Sequence, residues 1–323
     1  MQRRIGPEAT TIAADTQGSP TPRGRALLLI NPGARSGAGQ EEAARQALEA
    51  VGIAAEGATL GTGGASCADA IRSRLAAGGG RFDRVVVGGG DGTLNAAIPG
   101  LLEAGLPFGI LPLGTANDLA RSLGIPAEME AAARIIAEEA PRPVDLGEVN
   151  GHMYFNVASV GFSAELAAEL KAEAKRRWGR LGYAVAAFGL LRRARPFTAT
   201  LVHDGVAERV RTLQVSVGNG RHYGGGLTVS EEARPDDGLL DVYSLEVRHW
   251  WRLVALIPWL RRGTQGSWHD VRAFRTTALE LRTRRRRPVN TDGELTAWTP
   301  ATFRLHRAAL RVFAPPPEAP EAG

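Results

Sequence analysis

The chain has 323 residues, 44% of them hydrophobic and 23% charged, with a net charge of +5 and a single cysteine, Cys67. That is the composition of a folded globular protein and not of a fibre or a disordered chain, and a length above roughly 250 to 300 residues predicts two domains. One cysteine excludes an internal disulfide framework and any zinc site built on several thiolates, and it suits a reducing, cytoplasmic setting.

Residues 1–25 are rich in Pro, Thr, Gly and Arg, lack the apolar core of a secretory signal, and read as a flexible leader. From Ala26 short apolar runs alternate with helical patterns. "ALLLI" (26–30) is followed by an amphipathic run with Ala44, Leu48 and Val51 on one face, then by "IAAEGATL" (53–60) and a helix near 65–77. "DRVVV" (83–87), a helix from about 93, "FGILP" (108–112) and helices over 115–122 and 127–139 complete the series. Strands alternating with helices predict βαβ units and a parallel sheet covered on both faces, so 26–145 reads as an α/β nucleotide-binding domain. After "APRPVDLG" (140–147) the pattern changes to short alternating strands with glycine turns, interrupted by helical stretches near 163–194 and 248–262. That grammar predicts an antiparallel β-sandwich domain over 146–313, its last strand free to return to the first domain. The Pro-rich end, 314–323, reads as a disordered tail. No stretch reaches the roughly 18 apolar residues needed to span a bilayer.

Charge is divided unevenly. Residues 1–150 carry 13 basic and 17 acidic side chains and 151–323 carry 26 and 17, a balance of −4 against +9. The positive charge gathers at 171–195 (eight basic, one acidic), 248–263 (four basic, none acidic) and 282–287 (five arginines). Such a half faces phospholipid headgroups, nucleic acid or a phosphorylated substrate, unless it is merely a solvated surface.

Three glycine-bearing loops follow predicted strands: "NPGARSG" from 31, "GGGDGTLN" (88–95) and "PLGTANDLARSLGIP" (112–126). Glycine lets backbone approach an anion without a Cβ clash, and the helix that follows offers unpaired N–H groups and the positive end of its dipole. In a parallel sheet such loops meet outside the carboxyl ends of the strands, where ligands bind. Phosphate is the ligand these features suit, although neither a complete P-loop nor the dinucleotide fingerprint G-x-G-x-x-G occurs.

These loops, together with "NVASVGFSAEL", "SVGNGRHYGGGLTVSEEARPDDGLLDV" and "TDGEL", occur in the order seen in the diacylglycerol kinase catalytic-domain family, which the chain resembles from about Leu27 to Phe313, specifically its bacterial soluble lipid kinases. The resemblance implies ATP bound between an NAD kinase and phosphofructokinase-like α/β domain and a β sandwich. By that match Asn31, Pro32, Gly33, Ala34 and Arg35, then Thr59, then Gly89, Gly90, Asp91, Gly92, Thr93, Leu94 and Asn95, and Thr115 fall on nucleotide-contacting positions. Asp91 is suited to hold Mg²⁺ directly or through water.

Phosphoryl transfer to an alcohol also needs a group that orients the hydroxyl and accepts its proton. "TDGEL" offers Asp292 and Glu294, which would face one side if the segment were extended; alone, such a triplet is usually a turn. The resemblance puts Glu294 at the family's proton-acceptor position with Asp292 as its partner, so the catalytic set is Glu294, Asp292 and Asp91. It likewise implies a second Mg²⁺, away from the transferred phosphate, held by the Asp237 carboxylate and the carbonyls of Arg234 and Leu239. The chain departs from the family at Ala96, where Glu is frequent, and at Thr291, where a bulky apolar residue is frequent. The six histidines form no metal-spaced pair.

The expected activity is therefore an ATP- and Mg²⁺-dependent lipid kinase acting on diacylglycerol or a related lipid alcohol. A diacyl substrate stays in its bilayer, so "RHWWRLVALIPWLRR" and "KAEAKRRWGRLGYAVAAFGLLRRAR" are candidates for contact with an anionic membrane surface at its inner, cytoplasmic face. A core helix packed on the β domain is the alternative for either segment. No nucleic-acid partner is expected, and a homodimer is left open. An NAD kinase sharing "GGDGT", or a non-catalytic anionic-lipid binder on a kinase scaffold, are the competing readings.

Overall fold

The computed structural model describes residues 24–30, 37–59, 66–78, 80–167, 189, 194–247 and 249–317. The leader therefore lies outside the described residues except for Gly24 and Arg25, which open the first strand. Strands β1 (Gly24–Ile30), β2 (Ile53–Thr59), β3 (Arg84–Gly89) and β4 (Phe108–Pro112) are parallel and lie in the order β2-β1-β3-β4. Leu27, Leu28, Leu29, Val85, Val86, Val87, Ile110 and Leu111 are all buried, as strands covered on both faces require. Helices α1 (Gly37–Ala50), α2 (Cys67–Gly78), α3 (Asp91–Ala104) and α5 (Met129–Glu138) supply the cover, α2 packing on α3 and α1 on α5. The strand order reverses at β1, so the carboxyl ends of β1 and β3 flank the switch point at which open α/β sheets take their ligands.

The helix expected over 115–122 is shorter, α4 (Asp118–Ser122). Asn117 stands in the left-handed region (φ 50°) and closes the preceding turn, its Oδ1 accepting from the Gly114 N–H and its Nδ2 donating to the Gly114 carbonyl. That local bonding competes with helix, as asparagine commonly does.

Beyond β4 the sheet becomes antiparallel. β5 (Pro141–Val149), β6 (His152–Tyr154), β8 (Phe197–His203), β9 (Val206–Thr212), β15 (Ala278–Thr283) and β18 (Ala301–Phe313) complete ten strands. Facing them is a six-stranded sheet in the order β14-β13-β10-β7-β16-β17, made of β14 (Val271–Thr276), β13 (Leu240–Leu245), β10 (Gln214–Gly218), β7 (Val157–Gly161), β16 (Pro288–Thr291) and β17 (Glu294–Trp298). Val160, Val217, Val242, Leu281, Val289 and Phe303 fill the space between the sheets. The architecture is thus an α/β domain with a mostly parallel sheet joined to an antiparallel β sandwich. The outer face of the six-stranded sheet carries α6 (Trp250–Arg262), seated through Leu253, Leu256 and Leu260, and the two-stranded ribbon β11 (His222–Tyr223) and β12 (Leu227–Thr228). The other helical stretch expected near 163–194 is described as helix over 162–167, and most of the remainder lies outside the described residues. No described helix is long and apolar enough to cross a membrane.

Candidate active site

Two glycine loops meet at the mouth of the parallel sheet. Gly90 caps α3 directly after β3, and Gly114 follows β4; a Cβ on Gly114 would lie 2.5 Å from the Gly90 Cα and one on Gly90 3.1 Å from the Gly114 Cα, so the two loops are in close backbone contact. Asp91 is the first residue of α3, and its Oδ1 accepts from the Leu119 N–H at 3.1 Å and from Asn156 Nδ2 at 3.4 Å. Gly92 and Thr115 are exposed beside it, while Thr93 and Leu94 are buried, so Leu94 offers a ligand nothing but backbone. Thr59 ends β2 opposite Ile30. The loop carrying Asn31 to Arg35 lies outside the described residues.

"TDGE" is not extended. Thr291 pairs with Glu294, and Asp292 (φ 47°) and Gly293 (φ 95°) form the two-residue turn of a β16–β17 hairpin, the Asp-Gly sequence that left-handed hairpin turns select. The two carboxylates therefore separate. Asp292 turns inward and accepts four hydrogen bonds, from Asn95 Nδ2 (2.8 Å) and from the backbone N–H groups of Phe155, Asn156 and Val157 (3.1, 3.1 and 2.8 Å). Burial pushes its carboxyl up to about 6; the Val157, Asn156 and Asn95 donors pull against that, and the charge of Asp91 adds to it. Glu294 is exposed and, with Asn95, Ala96 and Pro99 of α3, His152, and Thr291 and Thr296 of the hairpin, lines a pocket of about 230 Å³. Ala96 and Thr291, the two departures from the family pattern, are both in its wall, and the Thr291 and Thr296 hydroxyls bond each other at 2.9 Å. Asp91 and Asp292 are thus linked through Asn156, and the Asn95–Asp292 bridge, across 197 residues of sequence, joins α3 to the hairpin whose Glu294 lines the pocket.

Two polar residues of this corner were not singled out from sequence. Asp118, in "GTAND", is buried; its Oδ2 accepts from the Gly225 N–H at 3.0 Å, and Arg121 Nη1 stands 3.6 Å from its Oδ1. Burial raises its carboxyl, the Gly225 N–H opposes that, and Asp91 raises it further. Asn156 heads β7 and bridges Asp91 and Asp292. Asp118 Oδ1, Asn95 Oδ1 and Asn156 Oδ1 are each buried without a hydrogen-bond partner, oxygens of the kind that a hard cation such as Mg²⁺ takes.

The loop of Arg234, Asp237 and Leu239 forms a separate unit. Asp237 Oδ1 accepts from the Leu239 N–H at 3.0 Å, and Gly238 (φ 73°) donates its N–H to Asp145 Oδ2 at 2.8 Å. Arg234 pairs with Asp236. Burial raises the Asp237 carboxyl, the Leu239 N–H and Arg275 oppose it, and Asp241 and Asp145 add to it. Among the described residues no group of three or more His, Cys, Asp or Glu side chains is arranged for a metal, so a cation here would draw on carbonyl oxygens.

A diacylglycerol kinase catalytic domain matches residues 25–149, and a YegS C-terminal NAD kinase beta sandwich-like domain matches 156–314. The chain is 35% identical over 249 residues to a probable lipid kinase YegS-like protein of Pseudomonas aeruginosa, covering 76% of this chain and 80% of the relative. It is 34% identical over 245 residues to a diacylglycerol kinase of Mycobacterium tuberculosis, covering 72% and 77%. A crystal structure of a diacylglycerol kinase candidate from Bacillus anthracis str. Sterne superposes with a TM-score of 0.70 at 25% identity, over 90% of this chain and 97% of that one.

Proposed function

The chain belongs to the lipid kinase family that joins a diacylglycerol kinase catalytic domain to a YegS-type β sandwich, and from that premise we propose ATP- and Mg²⁺-dependent transfer of the γ-phosphoryl group to the hydroxyl of diacylglycerol or a related lipid alcohol. The observation that carries this reading is the Asn95–Asp292 bridge, which ties the helix behind the glycine loop to the hairpin bearing Glu294 around one pocket.

The Gly90 and Gly114 loops and the N-terminus of α3 cradle the triphosphate, aided by Thr115 and, in the loop after β1, by Asn31 to Arg35. Asp91, Asp118 and the side-chain oxygens of Asn95 and Asn156 would hold Mg²⁺, which when bound neutralises phosphate charge. Glu294 accepts the proton of the lipid hydroxyl as its oxygen bonds to the γ-phosphorus and the bond to ADP breaks. Asp292 is a positioning residue, since its carboxylate is already occupied by four donors and fixes the hairpin against α3. A second Mg²⁺ at Asp237, with the Arg234 and Leu239 carbonyls, would brace the acidic loop against its own repulsion.

A pocket of about 230 Å³ has room for the hydroxyl-bearing end of a lipid alcohol. The acyl chains stay in the bilayer, and the enzyme works as a peripheral protein on an anionic, cytoplasmic membrane face. Purified protein is incubated with labelled ATP, Mg²⁺ and mixed micelles of candidate lipid alcohols, with NAD as a parallel acceptor. Label on a lipid hydroxyl supports the assignment; label on NAD alone would overturn it in favour of an NAD kinase, and no transfer at all would favour a lipid-binding scaffold.

A further inference from the structure

Of the eight large hydrophobic side chains exposed among the described residues, six belong to two elements on the outer face of the six-stranded sheet, α6 toward its β14 edge and β17 at the opposite edge. Four belong to α6. Its buried leucines, Leu253, Leu256 and Leu260, face the sheet, Trp251 and Val254 point away, and Ile257 and Trp259 lie on its two flanks, Trp259 edge-on to Trp268 at 5.0 Å, with Arg261 and Arg262 exposed at its end. A helix seated in a core has no use for a second apolar face toward water. The other two are Leu295 and Trp298 on β17, the edge strand. Register fixes their direction. Val289, Val160 and Ala297 point into the sandwich core, so Asn290 and Leu295, and Pro288 and Trp298, point to the opposite face, on which α6 lies.

The described residues of two basic stretches adjoin this face: Arg261 and Arg262 at the end of α6, and the arginine turn between β15 and β16. Phe162 and Ala194, which flank most of the strongly basic segment 171–195, pack against the apolar cluster beneath α6. Glu165 pairs with Arg287 at 2.7 Å, and the Arg287 guanidinium lies 4.0 Å from the centroid of the Phe197 ring, so Arg287 anchors the arginine turn between β15 and β16. In that turn Arg284, Arg285 and Arg286 are exposed, and the Arg286 guanidinium lies 6.0 Å from the Trp298 ring centroid. Aromatic and aliphatic side chains ringed by arginines match an anionic bilayer, whose headgroups take the charge while the rings sit at the boundary.

We propose that the outer face of the six-stranded sheet, formed by the exposed side of α6, the arginine turn and Leu295 and Trp298 of β17, is the surface that docks on anionic phospholipid. This rests on the membrane contact proposed above and assigns it a place. Because β17 begins at Glu294, docking through Leu295 and Trp298 holds the acceptor pocket within about 15 Å of the headgroups, one short strand away.

The full-length chain is tested by flotation with phosphatidylcholine vesicles, with and without phosphatidylglycerol, at low and high salt. Binding is expected only with the anionic lipid and is weakened by salt. Arg284→Gln with Arg285→Gln is expected to lower partitioning about thirtyfold, as two basic residues near an anionic surface would. Arg209→Gln with Arg211→Gln, exposed on β9 of the other sheet and removing equal charge, is expected to change it far less. Trp298→Ala and Trp251→Ala should each weaken binding with melting temperature unchanged, and brominated lipid should quench the wild-type tryptophans. Equal losses for the two arginine pairs, or tryptophan variants that bind like wild type, overturn the docking face. A dimer that dissociates on Trp298→Ala, without vesicle binding, makes a second copy the occupant and overturns it too. Phosphorylation of detergent-dispersed lipid is read in parallel. Transfer without vesicle binding rejects the face and leaves the kinase reading standing; vesicle binding through the face without transfer to any lipid does the reverse.

Discussion

Asp292 gathers one side-chain and three backbone donors on a single carboxylate, yet burial still pushes it up to about 6. Its ordinary value is 3.8, so between about pH 4 and pH 6 the folded chain binds a proton that the unfolded chain has released. The stability from this group is complete below the unfolded value and is lost as pH rises through the folded one. Two pKa units correspond to about 3 kcal/mol. Without Mg²⁺ and nucleotide, the stability difference between wild type and Asp292→Asn should therefore move in the variant's favour by about 3 kcal/mol from pH 4 to pH 7, as read by urea denaturation across pH; a pH-independent difference would contradict this. Glu294 behaves otherwise, because it is exposed and holds nothing in place. Glu294→Gln should leave the melting temperature and ATP affinity unchanged and lower kcat by about 10² to 10⁴, the usual worth of a general base. Calorimetric ATP binding alongside turnover separates that outcome from misfolding.

At the scale of elements, the site depends on how closely two strand-to-helix connections approach each other. The Gly90 and Gly114 loops touch through backbone, and a Cβ on Gly114 would meet the Gly90 Cα at 2.5 Å and Asn117 Oδ1 at 2.7 Å. Backbone cannot swing away as a side chain can, so Gly114→Ala should cost about 1 to 3 kcal/mol, as overpacking does, and weaken nucleotide binding together with stability. Gly92→Ala, where an added Cβ meets nothing within 4 Å, should spare stability, and denaturation midpoints of the two variants make the comparison. The same elements show what sequence could reveal. β3, its glycines and α3 were legible because a buried strand, a conformationally free joint and an amphipathic helix each leave a local pattern. The hairpin at Asp292 was legible as an alternative, since Asp-Gly signals a turn as much as a catalytic pair. Asp118 was not, because what marks it is burial under the N–H of Gly225, 107 residues away. Nor did periodicity show that α6 is apolar on both faces, since burial of one face is decided by the sheet beneath it.

At the scale of the whole molecule, β18 joins what the sequence divides into two domains. Its first half pairs antiparallel with β15 and β5, its second half continues along β5, and Val312 pairs parallel with Phe108 of β4. The register shifts between His306 and Leu310, where Ala308 takes φ 49° and donates its N–H to Asp145 Oδ1 at 2.7 Å. Phe303, on one side of that shift, lies in the sandwich core, while Leu310, Val312 and Phe313, on the other, lie in the core of the parallel sheet. One continuous strand thus serves two cores, and loss of either removes pairing partners from the other. Unfolding should therefore be a single transition despite the length of the chain. The sequence supplies its own probe, because all six tryptophans lie beyond residue 150, so their fluorescence reports on the second half of the chain, whereas far-ultraviolet circular dichroism follows both halves. Coincident urea curves by the two probes are expected for wild type. Phe303→Ala, which empties a fully buried site, should move both curves together by about 3 to 5 kcal/mol. A fluorescence transition that shifts ahead of the dichroism would mean that β18 transmits nothing, and that α3 and the Glu294 hairpin are held together by the Asn95–Asp292 bridge without help from the shared strand.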